Sequence, residues 1–138
     1  MDNLNNKGTI LFVDDDQIVM DVGTMMIKKL GYQVLQATSG TEASQVFSDN
    51  IDDIGLVLLD INLPDEKGID TCIRLKRIDS NVRVIHTSGM GVISTDQTLD
   101  CGCARYLAKP FKFAELSNKI KECLETADEH EIPSSHFQ

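Results

Sequence analysis

Four short apolar runs in this chain stop abruptly on a polar group. Gly8-Thr9-Ile10-Leu11-Phe12-Val13 runs into Asp14-Asp15-Asp16, and Leu56-Val57-Leu58-Leu59 runs into Asp60. Val82-Arg83-Val84-Ile85-His86 runs into Thr87-Ser88-Gly89, and Tyr106-Leu107-Ala108 runs into Lys109-Pro110. Runs this dense in Val, Ile and Leu predict strands buried on both faces, as in a parallel sheet. A further strand of mixed pattern is predicted from Tyr32 to Ala37.

Helical spacing fills the intervals. Ile18, Val22, Met25, Met26 and Leu30 predict the buried stripe of a first helix, which Gly31 ends. Ser39-Gly40-Thr41-Glu42 has capping-box spacing and opens a second helix through Phe47. A third helix is predicted from Ile69 to Ile78. Another, from Val92 to Asp100, is rich in β-branched and turn-favouring residues, so it is expected to be short or mobile. Leu116, Ile120, Cys123 and Leu124 form the apolar stripe of a last helix. Strands and helices alternating in this way predict an α/β fold, a parallel sheet with helices on both faces. The domain is expected over residues 8–127, after a flexible N-terminus (1–7) and before a polar tail (128–138).

Composition narrows the class. The 138 residues suit one domain, and 41% apolar with 25% charged is ordinary for a globular protein. No apolar stretch approaches the roughly 18 residues of a membrane span, and no secretory signal opens the chain, so a cytoplasmic location is expected. A net charge of −9 argues against nucleic acid or anionic lipid as a direct partner. Cys72, Cys101, Cys103 and Cys123 match no disulfide framework, and Cys101-Gly102-Cys103 lacks the second ligand pair of a zinc site.

In open parallel sheets, ligands gather at the carboxyl ends of the strands. Asp14, Asp15 and Asp60 are therefore expected to meet there. Two carboxylates about 4 Å apart repel by roughly 4 kcal/mol at an effective dielectric of 20, so such a cluster needs a cation or a shared proton. Oxygen ligands favour a hard divalent ion such as Mg²⁺. Asp16 or Asp15 also suits the N-cap of the first helix, but that bland role leaves Asp60 unexplained. A carboxylate in such surroundings can act as a nucleophile toward phosphorus. Lys109, set among apolar neighbours, can hold a phosphoryl oxygen as a compact charge. Ser88 offers a hydroxyl with room beside Gly89, although a turn residue would look the same. His86 reads as a core histidine and Tyr106 as strand packing.

These residues, in this order and spacing, resemble the receiver domain of two-component response regulators. The resemblance runs through Ile10–Asp16, Leu56–Pro64 with Gly68, Val84–Gly89 and Gly102–Phe111, and covers about residues 8 to 127. It implies a flavodoxin-like, doubly wound five-stranded sheet in the order 2-1-3-4-5. It also implies that Asp60 accepts a phosphoryl group from a histidine kinase or histidine phosphotransfer protein. Mg²⁺, or Mn²⁺, would be bound by Asp15, Asp60 and the backbone carbonyl of Asn62, with Asp14 acting through water. Lys109 would pair with Asp60 and then with the phosphate. The family pattern places a small residue after the switch hydroxyl, which favours Ser88 over Thr87.

On that reading Tyr106 turns inward as Ser88 moves, and a face built from the 92–100 helix, the fifth strand and the last helix signals to a downstream protein. A phosphorylation-dependent homodimer is one assembly it allows. Asn62 and Met90 match variable positions that tune dephosphorylation. The chain would be a signalling phosphoacceptor assisting its own phosphorylation and dephosphorylation, not an enzyme with external turnover. Two departures stand out: Gly23 inside the first helix, and a loop Pro64-Asp65-Glu66-Lys67-Gly68 more charged than the usual apolar version. Neither is expected to touch the chemistry.

Rival readings are weaker. An aspartate-based phosphatase would carry a second carboxylate two residues after its nucleophile, where this chain has Asn62. A flavin carrier would need a phosphate cradle after the first strand, where Asp14-Asp15-Asp16 would repel the phosphate. A degenerate receiver used as a phosphorylation-independent docking module is the alternative that shares the fold.

Overall fold

The computed structural model describes residues 8–89 and 105–131, from 125 onward as backbone alone. Strands β1 (Thr9–Val13), β2 (Gln33–Ala37), β3 (Ile54–Asp60), β4 (Val84–Ser88) and β5 (Tyr106–Ala108) form one parallel sheet. Their order is β2-β1-β3-β4-β5, as the resemblance implies. Helices α1 (Gln17–Lys29), α2 (Gly40–Asp49), α3 (Gly68–Ile78) and α4 (Phe113–Glu131) flank it. The helix expected over 92–100, Met90, Cys101, Cys103, the first seven residues and positions 132–138 of the expected tail lie outside the described residues. α4 itself continues past residue 127, where the tail was expected to begin.

Alternation along the strands divides the core in two. Ile10, Phe12, Leu56, Leu58 and Ile85 pack with Met20 and Ile27 of α1 and with Leu116 and Ile120 of α4. Leu11, Val13, Val57, Leu59 and Val84 pack with Ala43 and Phe47 of α2 and with Cys72 and Leu75 of α3. β1 and β4 are buried along their whole length, which is why they read as unbroken apolar runs. Cys72 is a buried free thiol, Cys123 is buried in the core, and His86 is a buried residue of β4. Among the described residues, no helix is long and apolar enough to cross a membrane.

α1 corrects the sequence reading. Its core side is Met20, Gly23 and Ile27, whereas Ile18 (74% exposed), Val22 and Met25 (70%) point outward. Met26 and Leu30, the other two residues of the expected stripe, do pack against the core. Gly23 is no defect: a Cβ there would run into the ring of Phe12, so this glycine lets α1 lie close on β1. Asp16 caps the helix, accepting from the N–H groups of Ile18 (2.9 Å) and Val19 (3.3 Å). Gly31, at φ 103°, closes its far end, donating to the Lys28 carbonyl at 2.9 Å, while Tyr32 donates to that of Ile27. In α2, Ser39 caps the Glu42 N–H at 3.0 Å, but Glu42 reaches back to the Thr38 N–H at 2.7 Å, one residue beyond the expected box partner.

Candidate functional site

All four polar strand ends meet at the carboxyl edge of the sheet. β1 continues one step past Val13, because the Asp14 N–H donates to the Ala37 carbonyl at 3.1 Å, and this carries Asp14 to the mouth beside β3. Asp60 is the last residue of β3, in register with Thr87. The Lys109 N–H donates to the Ser88 carbonyl at 2.8 Å, which sets the lysine at the end of β5. Asp14 and Asp60 are buried, while Asp15 faces solvent. One oxygen from each of Asp14, Asp15 and Asp60 falls within 4.8 Å of the others, a spacing that suits a hard divalent cation.

Lys109 closes the cluster from the far side. Its Nζ lies 2.8 Å from Asp14 Oδ2 and 3.2 Å from Asp60 Oδ2. The sequence reading paired it with Asp60 alone; here it bridges both carboxylates, and the shorter contact is to Asp14. Asp14 Oδ1 also accepts from the Asp16 N–H at 2.9 Å, and Asp60 Oδ1 accepts from the Asn62 N–H at 3.2 Å.

Charge follows from this geometry. Burial raises the Asp60 carboxyl above the ordinary carboxylate value; the Asn62 N–H and Lys109 offset only part of that, and Asp14 adds to it. Burial is also the largest influence on Lys109 and acts downward, yet Asp14 and Asp60 together outweigh it, so the ammonium titrates above its usual range. A charged lysine thus faces a buried, sparsely solvated carboxylate.

The remaining candidates are at or near this mouth. Thr87 and Ser88 are both buried, and the Thr87 hydroxyl has no hydrogen-bond partner among the described residues. Tyr106 is 44% exposed at the start of β5, so in this state its ring is not turned inward. Gly68, opening α3, is required by closeness: a Cβ there would strike the Asp60 carbonyl oxygen.

Sequence reasoning missed the polar clamp behind the Asp60 loop. Asp65 accepts from the N–H groups of Gly40 (2.8 Å) and Thr41 (2.9 Å), and from the Thr41 hydroxyl at 2.8 Å. Glu66 takes a forked pair of bonds from Arg74, at 2.6 and 2.9 Å, and another from the Thr71 hydroxyl. The only signal was the unusual charge of this loop.

A doubly wound sheet whose mouth gathers three aspartates under a lysine defines a receiver-type signalling domain. The family model for the response regulator receiver domain matches residues 10–121, and the chain belongs to that family, which acts in two-component signalling. Sporulation initiation phosphotransferase F of Bacillus subtilis (strain 168) is 34% identical over 122 residues, 88% of this chain and 95% of that protein. A CheY-like receiver domain protein from Methanospirillum hungatei JF-1 superposes with a TM-score of 0.78 at 28% identity, covering 89% of this chain and 98% of that one. A CheX–CheY–BeF3–Mg²⁺ complex from Borrelia burgdorferi contains a chain that matches with a TM-score of 0.78 at 25% identity, covering 88% and 92%. Other curated relatives, among them transcriptional regulators and a sensor kinase, are longer, and this chain spans between 13% and 52% of their length.

Receiver domains bind Mg²⁺ at an acidic aspartate cluster and interact with histidine kinases and downstream effectors.

Proposed function

We propose that this domain accepts a phosphoryl group on Asp60 from the phosphohistidine of a histidine kinase or histidine phosphotransfer protein, and passes the change to a downstream protein by contact. The observation that carries this reading is the buried Asp60 carboxylate, held at one oxygen by Asn62 N–H and at the other by Lys109, within the three-carboxylate cluster. An Asp60 oxygen attacks phosphorus, the phosphorus–nitrogen bond of the donor breaks, and the imidazole leaves. Phosphoryl transfer asks mainly for positioning and charge neutralisation. Asp15, Asp60 and the Asn62 carbonyl would hold the divalent cation, with Asp14 acting through water. Bound there, Mg²⁺ would neutralise the gathering negative charge.

The chain's own groups do the rest. Lys109 begins between Asp14 and Asp60 and can follow the new phosphoryl oxygens, which add about −1.5 to −2 charge. Ser88 would supply the hydroxyl drawn toward them, and Tyr106, half-exposed in this state, would turn inward as Ser88 moves. Beside the mouth, the exposed Ile18 and Val22 of α1 join Lys109, Pro110 and Phe111 in an apolar depression. A protein donor reaching Asp60 must cover this rim.

Intact-mass measurement after incubation with acetyl phosphate, or with a phosphorylated donor protein, tests the reading. Wild-type protein should gain one phosphoryl group in the presence of Mg²⁺, and chelation should suppress the gain. No gain with either donor would leave the docking-module reading in its place.

A further inference from the structure

The loop after Asp60 is fastened at its tip by a carboxylate that the phosphoryl chemistry does not use. Residues 61–67 fold back on themselves as a narrow ribbon. The Gly68 N–H donates to the Ile61 carbonyl (2.8 Å), the Leu63 N–H donates to the Glu66 carbonyl (3.2 Å), and Asn62 pairs with Lys67 across the ribbon. At the base, Asn62 touches Asp60; at the tip, Asp65 crosses to a different helix.

That crossing is specific. α2 supplies its own cap only to Glu42 N–H, through Ser39. Its first two N–H groups, on Gly40 and Thr41, are satisfied instead by the two oxygens of Asp65. The Thr41 hydroxyl adds a third bond, and these donors lower the Asp65 carboxyl to about 2, so it stays ionised across ordinary pH. Next to it, Glu66 locks to Arg74 of α3, and Arg74 also donates to Ser44 of α2 at 2.9 Å. At its base the Ile61 N–H donates to the Thr87 carbonyl at 3.0 Å. Toward the tip, Pro64 and Asp65 are exposed, Leu63 is the apolar contact with the core, and the polar anchors are Glu66 and Asp65.

We propose that Asp65 is a positioning residue of the phosphoacceptor site: by pinning the ribbon's tip to the start of α2, it fixes the main chain of Asn62 against Asp60 and the cation. This rests on the phosphoacceptor reading, because the Asn62 carbonyl matters only if a cation binds there. A residue two steps removed from a metal acts by orienting the groups that touch it.

The test compares Mg²⁺ affinity, by NMR titration, with thermal stability in three variants. Asp65→Ala removes the pin. Asp65→Asn keeps one acceptor oxygen and serves if the alanine variant folds poorly. Ser39→Ala damages the same helix start without touching the ribbon. Asp65→Ala should weaken Mg²⁺ binding about three- to tenfold, at or below the low end of second-layer effects on metals. Asp65→Asn should fall between it and wild type, and Ser39→Ala should lower Tm with Mg²⁺ affinity held within about twofold. Equal Mg²⁺ affinities in the Asp65 and Ser39 variants would overturn the proposal and leave Asp65 a helix cap only. Wild-type protein that binds no Mg²⁺ would overturn the cation reading itself, and the proposal with it.

Discussion

Asp60 stands where the fold would rather have no charge. Its carboxyl is buried beside Asp14, and burial lifts its pKa despite the help of Asn62 and Lys109. A carboxyl with a raised folded-state pKa holds its proton longer in the folded than in the unfolded chain. Its ionisation therefore erodes stability as pH rises from the ordinary carboxylate value through the folded one. Asp60→Asn removes that liability and still leaves Lys109 paired with Asp14. In the absence of divalent cation this variant should melt about 2 to 5 °C above wild type at neutral pH, a range ordinary for relief of a local charge conflict in a domain of this size. The gap should close below the carboxylate range. Melting curves across pH check this; a variant less stable than wild type at neutral pH would mean that the buried carboxylate is already well compensated.

At the scale of elements, α1 is the instructive case. It carries two apolar stripes, and three of the five residues that looked like core, Ile18, Val22 and Met25, face solvent. Met20 and Ile27 were available as an alternative stripe, but the position between them is Gly23, which carries no hydrophobic signal. Its reason for being glycine, the ring of Phe12 pressed against it, belongs to another element. By contrast β1, β3 and β4 were legible because they are largely or wholly buried, and the edge strand β2, with Gln33 and Gln36 exposed, was correspondingly blurred. The Asp65 clamp was out of reach for another reason: its partner at Gly40 lies 25 residues away, and nothing local marks the pair. The two stripes of α1 should respond differently. Ile27→Ala should cost about 2 to 5 kcal/mol of stability by urea unfolding, and Ile18→Ser less than about 0.5 kcal/mol. Ile18→Ser should nevertheless slow transfer from a protein donor by about fivefold or more while sparing transfer from acetyl phosphate, the behaviour of an interface anchor. Equal slowing with both donors would place the effect in the active site instead.

For the whole molecule, the sheet brings distant segments to one edge. Asp14 and Lys109 are 95 residues apart and touch across the mouth, with Asp60 between them on β3. Both cores lie behind this edge, so a covalent change there acts on a frame that is otherwise well packed. The apolar runs and their polar ends made the gathering of these groups readable from the sequence. The bridging of Asp14 and Asp60 by a single ammonium was not readable, since it depends on how far β5 extends and on a rotamer. On the proposed function one carboxylate of the cluster, and no other, carries the phosphoryl group. Borohydride reduction of the phosphorylated protein, followed by peptide mass spectrometry, reads this directly, because an aspartyl phosphate is reduced to homoserine. Homoserine should appear at position 60 alone, with none in Asp60→Ala; homoserine at Asp14 or Asp15, or at no aspartate of a phosphorylated protein, would overturn the assignment of Asp60.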